Sequence, residues 1–445
     1  MNSPVRIQHL LRDGRFDAAE RLCQQAISQN PTDGEAWLKL AAVHQRRGAK
    51  AQAIEDLEVA ATCGAGTTTG LRVAQALIQL SAYDRAQKVL ATLDPAQPEV
   101  VLQMARAAWG GGDYRRAVVQ LSALWEARPE WLALAVTYAR SLVNLDQMAK
   151  AGEVLETALA HHTGQWLVQQ QYVSWLISNR SPAAAAEWLA GQSVVEPNPG
   201  LGTETMALYR WALGELTAGE APLPAAGRQN GDGRYDARRE GFVCLRNCPG
   251  PVVWYGDNVT LLKKALAAAP AGGAIVECGV LHGRTLNLLA AWSGREVHGF
   301  DSFQGLPEDW SEREGAGSYS TGGRVPAVAP NATLHPGWFA ETLPPFAATL
   351  SQPIAVLHVD CDLYSSTRTV LAHLGPHLAP GAVVVFDEYT GYPGWREHED
   401  RAFREWCAES GAGCELIGAV VLGQTAAFRI VGGQWNSESG CADAN

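Results

Sequence analysis

The chain has 445 residues, of which 47% are hydrophobic and 18% charged, and its net charge is −11. This length exceeds one ordinary domain, so we expect two or three. The acidic balance and the lack of a basic run exclude an extended nucleic-acid interface, and no apolar stretch is long enough to span a membrane. The N-terminal segment lacks a signal-peptide core and the nine cysteines form no zinc-binding pattern, so we expect a cytoplasmic protein with buried or free thiols.

An alanine recurs six times between residues 19 and 185, at intervals of 31 to 34 residues. A small side chain is needed where two antiparallel helices touch, so this alanine marks a helix crossing. Between the alanines lie apolar stripes at helical spacing, such as Trp37, Leu40 and Val43. A period of this length predicts stacked helical hairpins. The recurring residues are Ala19, Ala53, Ala86, Ala117, Ala151 and Ala185.

This pattern resembles the tetratricopeptide repeat. The residues at that family's usual positions are Trp37, Leu40, Ala53 and Ala60, together with Ala26 and Pro31. The resemblance implies an all-α superhelix over residues 1–220, closed by a helix over residues 204–220, with a concave surface. One interpretation is that this surface binds a protein or peptide partner. The other is that the repeats only rigidify the chain or join its copies into a homo-oligomer.

The composition changes at residues 221–241, which are rich in Gly, Pro and charge and predict a linker. Beyond them, seven short apolar runs alternate with helical stretches, which is typical of a doubly wound parallel sheet. The last two runs are close together and predict an antiparallel hairpin at one edge. We therefore expect a mostly parallel, seven-stranded α/β domain over residues 242–435, followed by a flexible tail over residues 436–445.

The first strand of this domain ends in a glycine loop. Glu277 is followed by Gly279 and Gly283, and a helix begins near Thr285. Glycines allow backbone amides to approach a ligand closely. An acid inside the loop would repel a pyrophosphate, so the loop suits a ligand with an ammonium or sulfonium group, or with free hydroxyls.

The next strand ends at Asp301, 22 residues after Gly279. In open α/β sheets, an acid at this distance binds both hydroxyls of a ribose. A strand-end aspartate can also be a simple turn cap. Together with the glycine loop, Asp301 and the adjacent Ser302 predict a nucleoside site.

Five stretches in this half of the chain resemble the class I S-adenosylmethionine-dependent methyltransferases, and more narrowly the macrocin O-methyltransferase-like family. They are "VECGVLHGRTLN", "FDSFQGLPEDW", "HPGWFAETLP", "LHVDCDLYSST" and "GAVVVFDEYTGYPGW". The resemblance implies a Rossmann-like fold with S-adenosylmethionine as cofactor. It also implies that Asp301 holds the ribose and that Gly337 and Trp338 lie near the adenine. The residues implied to shape the methionine end are Glu277, Gly279, Gly283 and Thr285.

Four acids follow two later strands of the predicted sheet: Asp360, Asp362, Asp387 and Glu388. Adjacent strands lie about 4.8 Å apart, so these carboxylates converge and would repel one another. A divalent cation removes that conflict, and oxygen ligands favour Mg²⁺, with Mn²⁺ or Ca²⁺ as alternatives. We assign Asp360, Asp387 and Glu388 to the metal, and Asp360 or Asp362 to proton acceptance. The related family often carries two aspartates where this chain has Asp387-Glu388.

In the resembled family, the metal chelates two vicinal hydroxyls of the acceptor. The resemblance therefore implies a metal-assisted O-methyltransferase acting on a sugar or polyhydroxylated natural product, free or carried by a protein or peptide that the repeats hold. One alternative is a methyltransferase that acts on a peptide or protein. The other is an interaction scaffold with an inactive methyltransferase domain.

The long Gly/Ser-rich segment from residue 307 to residue 331 predicts a lid over the acceptor, with Trp310 and Tyr319 as its walls. Tyr392 to Trp395, after the fifth strand, are expected to border the acceptor pocket. Histidines in the predicted strands are expected to be packed or surface residues rather than bases. This interpretation applies to His298 and His358.

Overall fold

The computed structural model describes residues 7–432, apart from 8, 12, 64–65, 194–199, 220–232 and 312–313. The predicted tail at 436–445 and most of the predicted linker lie outside these residues. The chain divides into two compact units, Met1–Tyr138 and Ala139–Asn445. Within the described residues, no helix is long and apolar enough to cross a membrane.

The first unit is built from helical hairpins. Ala19, Ala53, Ala86 and Ala117 are fully buried, as a helix crossing requires. Ala53 and Ala86 lie in one cluster of buried apolar side chains from neighbouring helices, and Ala19 lies in a second. The helices are α1 (Phe16–Gln29), α2 (Gly34–Arg46), α3 (Lys50–Thr62), α4 (Thr67–Gln79), α5 (Tyr83–Leu90), α6 (Pro98–Gly110), α7 (Tyr114–Ala127) and α8 (Leu132–Val143), which runs into the second unit.

The second unit begins with the last helical hairpins. Ala151 and Ala185 are again fully buried. The helices are α9 (Met148–His161), α10 (Trp166–Asn179), α11 (Pro182–Ala190), α12 (Leu201–Ala218) and α13 (Arg234–Asn247). The structure differs here from the predicted linker, because α13 occupies its second part. This helix is held by apolar packing, since Phe242 lies edge-on to Trp211 at 5.2 Å between ring centroids and contacts Trp254 at 5.0 Å.

The remainder of this unit is an eight-stranded sheet in the order β1-β7-β8-β6-β5-β2-β3-β4. The strands are β1 (Val253–Tyr255), β2 (Ala274–Cys278), β3 (Val297–Asp301), β4 (Ala332–Pro336), β5 (Ile354–Val359), β6 (Leu378–Phe386), β7 (Gly413–Val420) and β8 (Ala426–Val431). The interspersed helices are α14 (Asn258–Ala268), α15 (Arg284–Ser293), α16 (Phe339–Thr349), α17 (Tyr364–Leu374) and α18 (Glu399–Ser410).

The seven predicted strands are β2 to β8, and the α/β fold class is confirmed. The short β1 adds an eighth strand, which pairs in parallel with β7. The predicted hairpin is β7–β8, and β8 is antiparallel to both of its neighbours. Because β1 lies outside β7, this hairpin is not the edge of the sheet.

The chain order reverses between β5 and β2, which are hydrogen-bonded neighbours. From β2 the chain continues through β3 and β4 on one side, and from β5 it continues to β6 on the other. Both central strands are fully buried along their length. Such a reversal leaves a crevice beyond the carboxyl ends of the strands, where open α/β sheets bind ligands.

Within the second unit, the helical hairpins are fixed directly to the sheet domain. Asp146 Oδ2 accepts hydrogen bonds from Lys263 Nζ at 2.5 Å and from Trp292 Nε1 at 3.0 Å. Ser178 Oγ donates to Asp257 Oδ2. The helices from α9 onward are therefore part of the same compact unit as the sheet.

The cysteines that the structure describes follow the expectation of free thiols, except at one position. Among the described residues, Cys278, Cys361 and Cys407 are buried free thiols. Cys244, in α13, is disulfide-bonded. The expectation is therefore wrong at Cys244.

Candidate active site

A cavity of about 910 Å³ opens at the carboxyl ends of the strands. Its walls come from loops that follow β2, β3, β4, β5 and β6, and from α13. Of the site residues expected from the sequence, those on its wall are Gly279, Asp301, Ser302, Gly337, Trp338, Asp360, Asp362 and Glu388. The others do not line the cavity: Glu277, Gly283, Thr285 and Asp387.

The glycine loop after β2 passes directly over the end of β5. Gly279 has a φ of 96°, and a Cβ there would lie 1.6 Å from the carbonyl oxygen of Asp360. The amide of Asp360 donates in return to the carbonyl of Cys278 at 2.8 Å. Only glycine permits both this backbone conformation and this approach.

Asp301 fixes the shape of the same loop. Its Oδ2 accepts from the amides of Val280 and Leu281, both at 2.8 Å, and its Oδ1 accepts from the amide of Phe303 at 2.6 Å. Charge-assisted bonds of this kind are stronger than neutral ones. The structure therefore places Asp301 on the cavity wall and gives it a structural task, while its contact with a ribose stays a prediction.

Glu277 lies beneath the loop, paired with the neighbouring strand. Its Oε1 is 2.9 Å from His358 Nδ1, and both side chains are buried. Burial disfavours a charged imidazole, but the hydrogen bond and the charge of Glu277 outweigh it and raise the pKa of His358. The second oxygen of Glu277, Oε2, is buried without a hydrogen-bond partner. Sequence reasoning treated His358 as a packed residue and missed this pair.

The other two expected loop residues are also absent from the cavity wall. A Cβ on Gly283 would lie 3.0 Å from Val328 Cγ1, so the glycine makes room for the lid segment. Thr285 is buried in the first turn of α15. Gly283 and Thr285 therefore contribute to the packing of the loop, and neither lines the cavity.

Three carboxylates converge where β5 and β6 end. Asp360, Asp387 and Glu388 each offer one oxygen, and these atoms lie within 4.8 Å of one another. The convergence follows from strand register, because Val359 is paired with Phe386 and each acid follows its strand. Burial, then the charge of Asp387, raises the pKa of Asp360 and of Glu388 well above the ordinary range.

This set fits a divalent cation. Glu388 Oε2 is buried and has no hydrogen-bond partner in the structure, so it is an oxygen ligand that nothing else satisfies. Asp387 Oδ1 is oriented by Asn258 Nδ2 and Thr425 Oγ1, both at 3.1 Å. All three candidate ligands are carboxylates, which suit Mg²⁺, Mn²⁺ or Ca²⁺.

Two further acids surround the three. Asp362 is buried with a φ of 62°, and burial, aided by the charge of Asp387, raises its pKa to about 7. Glu399, the first residue of α18, is fully buried, and its Oε2 accepts from the amide of Glu388 at 3.2 Å. Sequence reasoning missed Glu399, because an acid at the start of a helix is usually only a favourable dipole partner.

The predicted lid and acceptor border do line the cavity. Trp310 meets the ring of Tyr392 edge-on at 5.4 Å, and Tyr319 stands on the same wall. Trp395, by contrast, is fully buried below the surface. Of the predicted packed histidines outside the site, His298 is half-buried against other aromatic rings.

Two arginines were missed by sequence reasoning. Arg234 and Arg238 of α13 line the cavity, although they fall in the segment predicted as a linker. The available signal was their spacing of four residues, which places both on one helical face.

The comparisons with known proteins agree with both resemblances. Residues 276–389 match the family model described as a methyltransferase domain. Residues 10–61 match the model described as a tetratricopeptide repeat. These matches confirm the two family resemblances seen in the sequence.

Two curated relatives are similar to part of the chain. The 8-demethyl-8-(2,3-dimethoxy-alpha-L-rhamnosyl)-tetracenomycin-C 4'-O-methyltransferase of Streptomyces olivaceus is 29% identical over 162 residues, which are 30% of this chain and 59% of that protein. Mycinamicin III 3''-O-methyltransferase of Micromonospora griseorubida is 43% identical over 70 residues, which are 15% of this chain and 25% of that protein. The chain thus spans less than two thirds of either relative.

Among solved structures, the O-methyltransferase NovP is 20% identical and covers 52% of this chain and 98% of its own, with a TM-score of 0.33. The chain combines a tetratricopeptide repeat with a C-terminal methyltransferase domain, and the curated relatives of that domain are O-methyltransferases.

Proposed function

We propose that the C-terminal domain transfers a methyl group from S-adenosylmethionine to a hydroxyl of a sugar or another polyhydroxylated natural product. The observation that carries this proposal is the cavity itself, because residues expected to bind a nucleoside line it on one side of the switch point and an acidic cluster lies on the other. The names of the two relatives support the acceptor class, because both are O-methyltransferases and the first name includes a rhamnosyl group.

The cofactor would lie along the wall formed after β2, β3 and β4. Gly279 lets the loop lie against the end of β5, and Asp301 keeps that loop in place by accepting from the amides of Val280 and Leu281. We assign the ribose to the Asp301 carboxylate. Ser302 is next to it, and Gly337 and Trp338 form the wall at the adenine position. In this arrangement the methyl donor points towards the carboxylates at the ends of β5 and β6.

Asp360, Asp387 and Glu388 would hold a divalent cation. Such a cation would chelate the acceptor and lower the pKa of its hydroxyl. Asp362, on the cavity wall beside Glu388, or Asp360, then accepts the hydroxyl proton on a carboxylate oxygen. The remaining task of the protein is to align the acceptor oxygen with the methyl group and to exclude water, for which Trp310 and Tyr392 form a cover.

The repeats would hold a protein or peptide partner. In one version of the proposal, this partner carries the acceptor. Self-association through the repeats is the alternative use of this region. Two other functions remain testable: methylation of a peptide or protein, and a scaffold with an inactive domain. The complete acidic cluster disfavours the scaffold, because an unused cluster of buried acids only destabilises the fold.

Titration calorimetry with S-adenosylmethionine tests the proposal first. We expect saturable binding by the full chain, and methyl transfer to glycosylated acceptors in the presence of Mg²⁺ or Mn²⁺. Folded protein that gives no heat with the cofactor would favour the scaffold. If the protein binds the cofactor but transfers the methyl group only to peptides, the acceptor is a peptide or protein and not a sugar or polyhydroxylated compound.

A further inference from the structure

Two cationic side chains line a cavity whose other charged walls are acidic. Arg234 and Arg238 lie on one face of α13, four residues apart. Residues at this spacing have Cβ atoms about 6 Å apart, so their guanidinium groups can reach one ligand together. The acidic residues on the cavity wall are Asp301, Glu314, Asp360, Asp362 and Glu388.

Arg238 is half-buried, yet it forms no hydrogen bond or ion pair with any residue that the structure describes. Neighbouring arginines do not share this property. Arg239 pairs with Asp236 at 3.9 Å, and Arg246 pairs with Glu215. A partly desolvated guanidinium without a carboxylate partner is unfavourable, so its position favours a bound anion.

The position of α13 is set by close packing. A Cβ on Gly241 would lie 2.8 Å from the amide nitrogen of Gly391 and 2.9 Å from Thr390 Cβ. A Cβ on Gly233 would lie 3.7 Å from Pro393 Cγ. The helix therefore rests on the loop that follows the Asp387–Glu388 pair, and its arginines are held beside that loop.

The sheet order decides which ligand these arginines face. The nucleoside wall follows β2, β3 and β4, whereas the loop under α13 follows β6, on the opposite side of β5. The methionine and adenosine parts of a cofactor belong to the first side. The arginines therefore lie at the acceptor end of the cavity.

We propose that Arg234 and Arg238 bind a phosphate or diphosphate group of the acceptor. This inference rests on the proposed function and narrows its substrate class to a hydroxylated compound that carries such an anion. Guanidinium groups bind phosphate oxygens bidentately, and two of them at helical spacing suit a diphosphate. The hydroxyls of the acceptor would then bind at the acidic cluster, and its anionic group would bind at the arginines, where the carboxylates do not repel it.

Pyrophosphate binding to the full chain, treated with a chelator and desalted, tests this site without requiring turnover. We expect saturable binding that Arg238→Gln weakens at least tenfold. Arg239→Gln is the matched control, because this neighbour is paired with Asp236 and does not line the cavity; it should change the affinity less than twofold. Arg238→Lys keeps the charge and should retain part of the affinity, which covers the case in which the Gln variant fails to fold.

S-adenosylhomocysteine affinity, measured on the same variants, should stay within twofold of the parent protein. A selective loss of this affinity in Arg238→Gln would assign the arginine to the cofactor carboxylate and overturn the proposal. No saturable pyrophosphate binding, equal loss in Arg238→Gln and Arg239→Gln, or acetate binding as tight as pyrophosphate would also overturn it. Failure of the proposed function would appear separately, as absent cofactor binding in the parent protein.

Discussion

A Cβ on Gly279 would lie 1.6 Å from the carbonyl oxygen of Asp360. This contact joins the glycine loop after β2 to the strand end that carries the acids. We expect Gly279→Ala to separate the two, because neither backbone can move without breaking the hydrogen bond from Asp360 to Cys278. The strain and the overpacking together should lower the free energy of unfolding by about 3 kcal/mol or more.

Chemical denaturation measures this loss, and Gly272→Ala is the matched control. Gly272 lies in the same unit, and a Cβ there would meet nothing within 4 Å. We expect the control to change stability by less than about 1 kcal/mol. Equal effects of the two substitutions would contradict the close approach.

Removal of one metal ligand should separate metal binding from cofactor binding. We expect Asp387→Asn to lower Mn²⁺ or Mg²⁺ affinity at least tenfold, because the amide lacks the charge of the carboxylate, and to abolish metal-dependent turnover. The affinity for S-adenosylhomocysteine should stay within about twofold, because Asp387 does not line the cavity. Calorimetry with each ligand checks both statements, and full activity after chelation and in Asp387→Asn would remove the metal from the mechanism.

Asp301→Ala should weaken S-adenosylhomocysteine binding by at most about 3 kcal/mol, the size of lost charged hydrogen bonds. It should also lower the melting temperature, because the amides of Val280, Leu281 and Phe303 lose their acceptor. The comparison is Ser302→Ala, whose hydroxyl accepts one bond from the amide of Gln304 and should matter less for stability. A variant Asp301→Ala with unchanged affinity and stability would contradict both roles.

The acidic cluster predicts a pH dependence of stability in metal-free protein. Burial raises the pKa of Asp362 from its ordinary 3.8 to about 7, so the folded chain binds this proton more tightly than the unfolded chain does. Stability therefore rises as pH falls below about 7, by about 2 kcal/mol between pH 7 and pH 5.5. Denaturation of parent protein and Asp362→Asn at both values measures it, and the variant should lack this part of the slope.

The cover formed by Trp310 and Tyr392 should affect binding of the acceptor more than binding of the cofactor. We expect Trp310→Ala to raise the KM of the acceptor at least tenfold, because the edge-on ring contact at 5.4 Å is lost, and to leave the KM of the cofactor within about twofold. Steady-state kinetics with each substrate varied in turn separates the effects. Equal increases in both KM values would contradict the assignment of this wall.

The seven strands β2 to β8 were predictable because their apolar runs are bounded by turn residues. β1 was missed because three residues, Val253–Tyr255, carry no usable pattern. Helix α13 was missed for a different reason. Its charged face resembles a linker in composition, and only the packing of Phe242 against two tryptophans shows that the segment is anchored.

Some residues of the candidate site could be predicted from the sequence and others could not. Asp360 and Asp387 could be found from sequence, because a parallel sheet brings the ends of its strands to one edge. Glu399 and Asn258 could not, because helices bring them to the acidic cluster and their contacts with Glu388 and Asp387 depend on tertiary packing. The buried pair of Glu277 and His358 depends on strand register, which the sequence leaves open.

The hydrogen bonds from Lys263 and Trp292 to Asp146 have a practical consequence for dissecting this protein. A fragment cut at residue 242, where the composition suggests a boundary, would lose that carboxylate and leave Phe242 without its edge-on contact to Trp211. Such a fragment would expose an apolar surface, and we expect it to aggregate before its activity can be measured. A fusion protein that uses this domain would therefore have to include the last helical hairpins, from residue 139 onward.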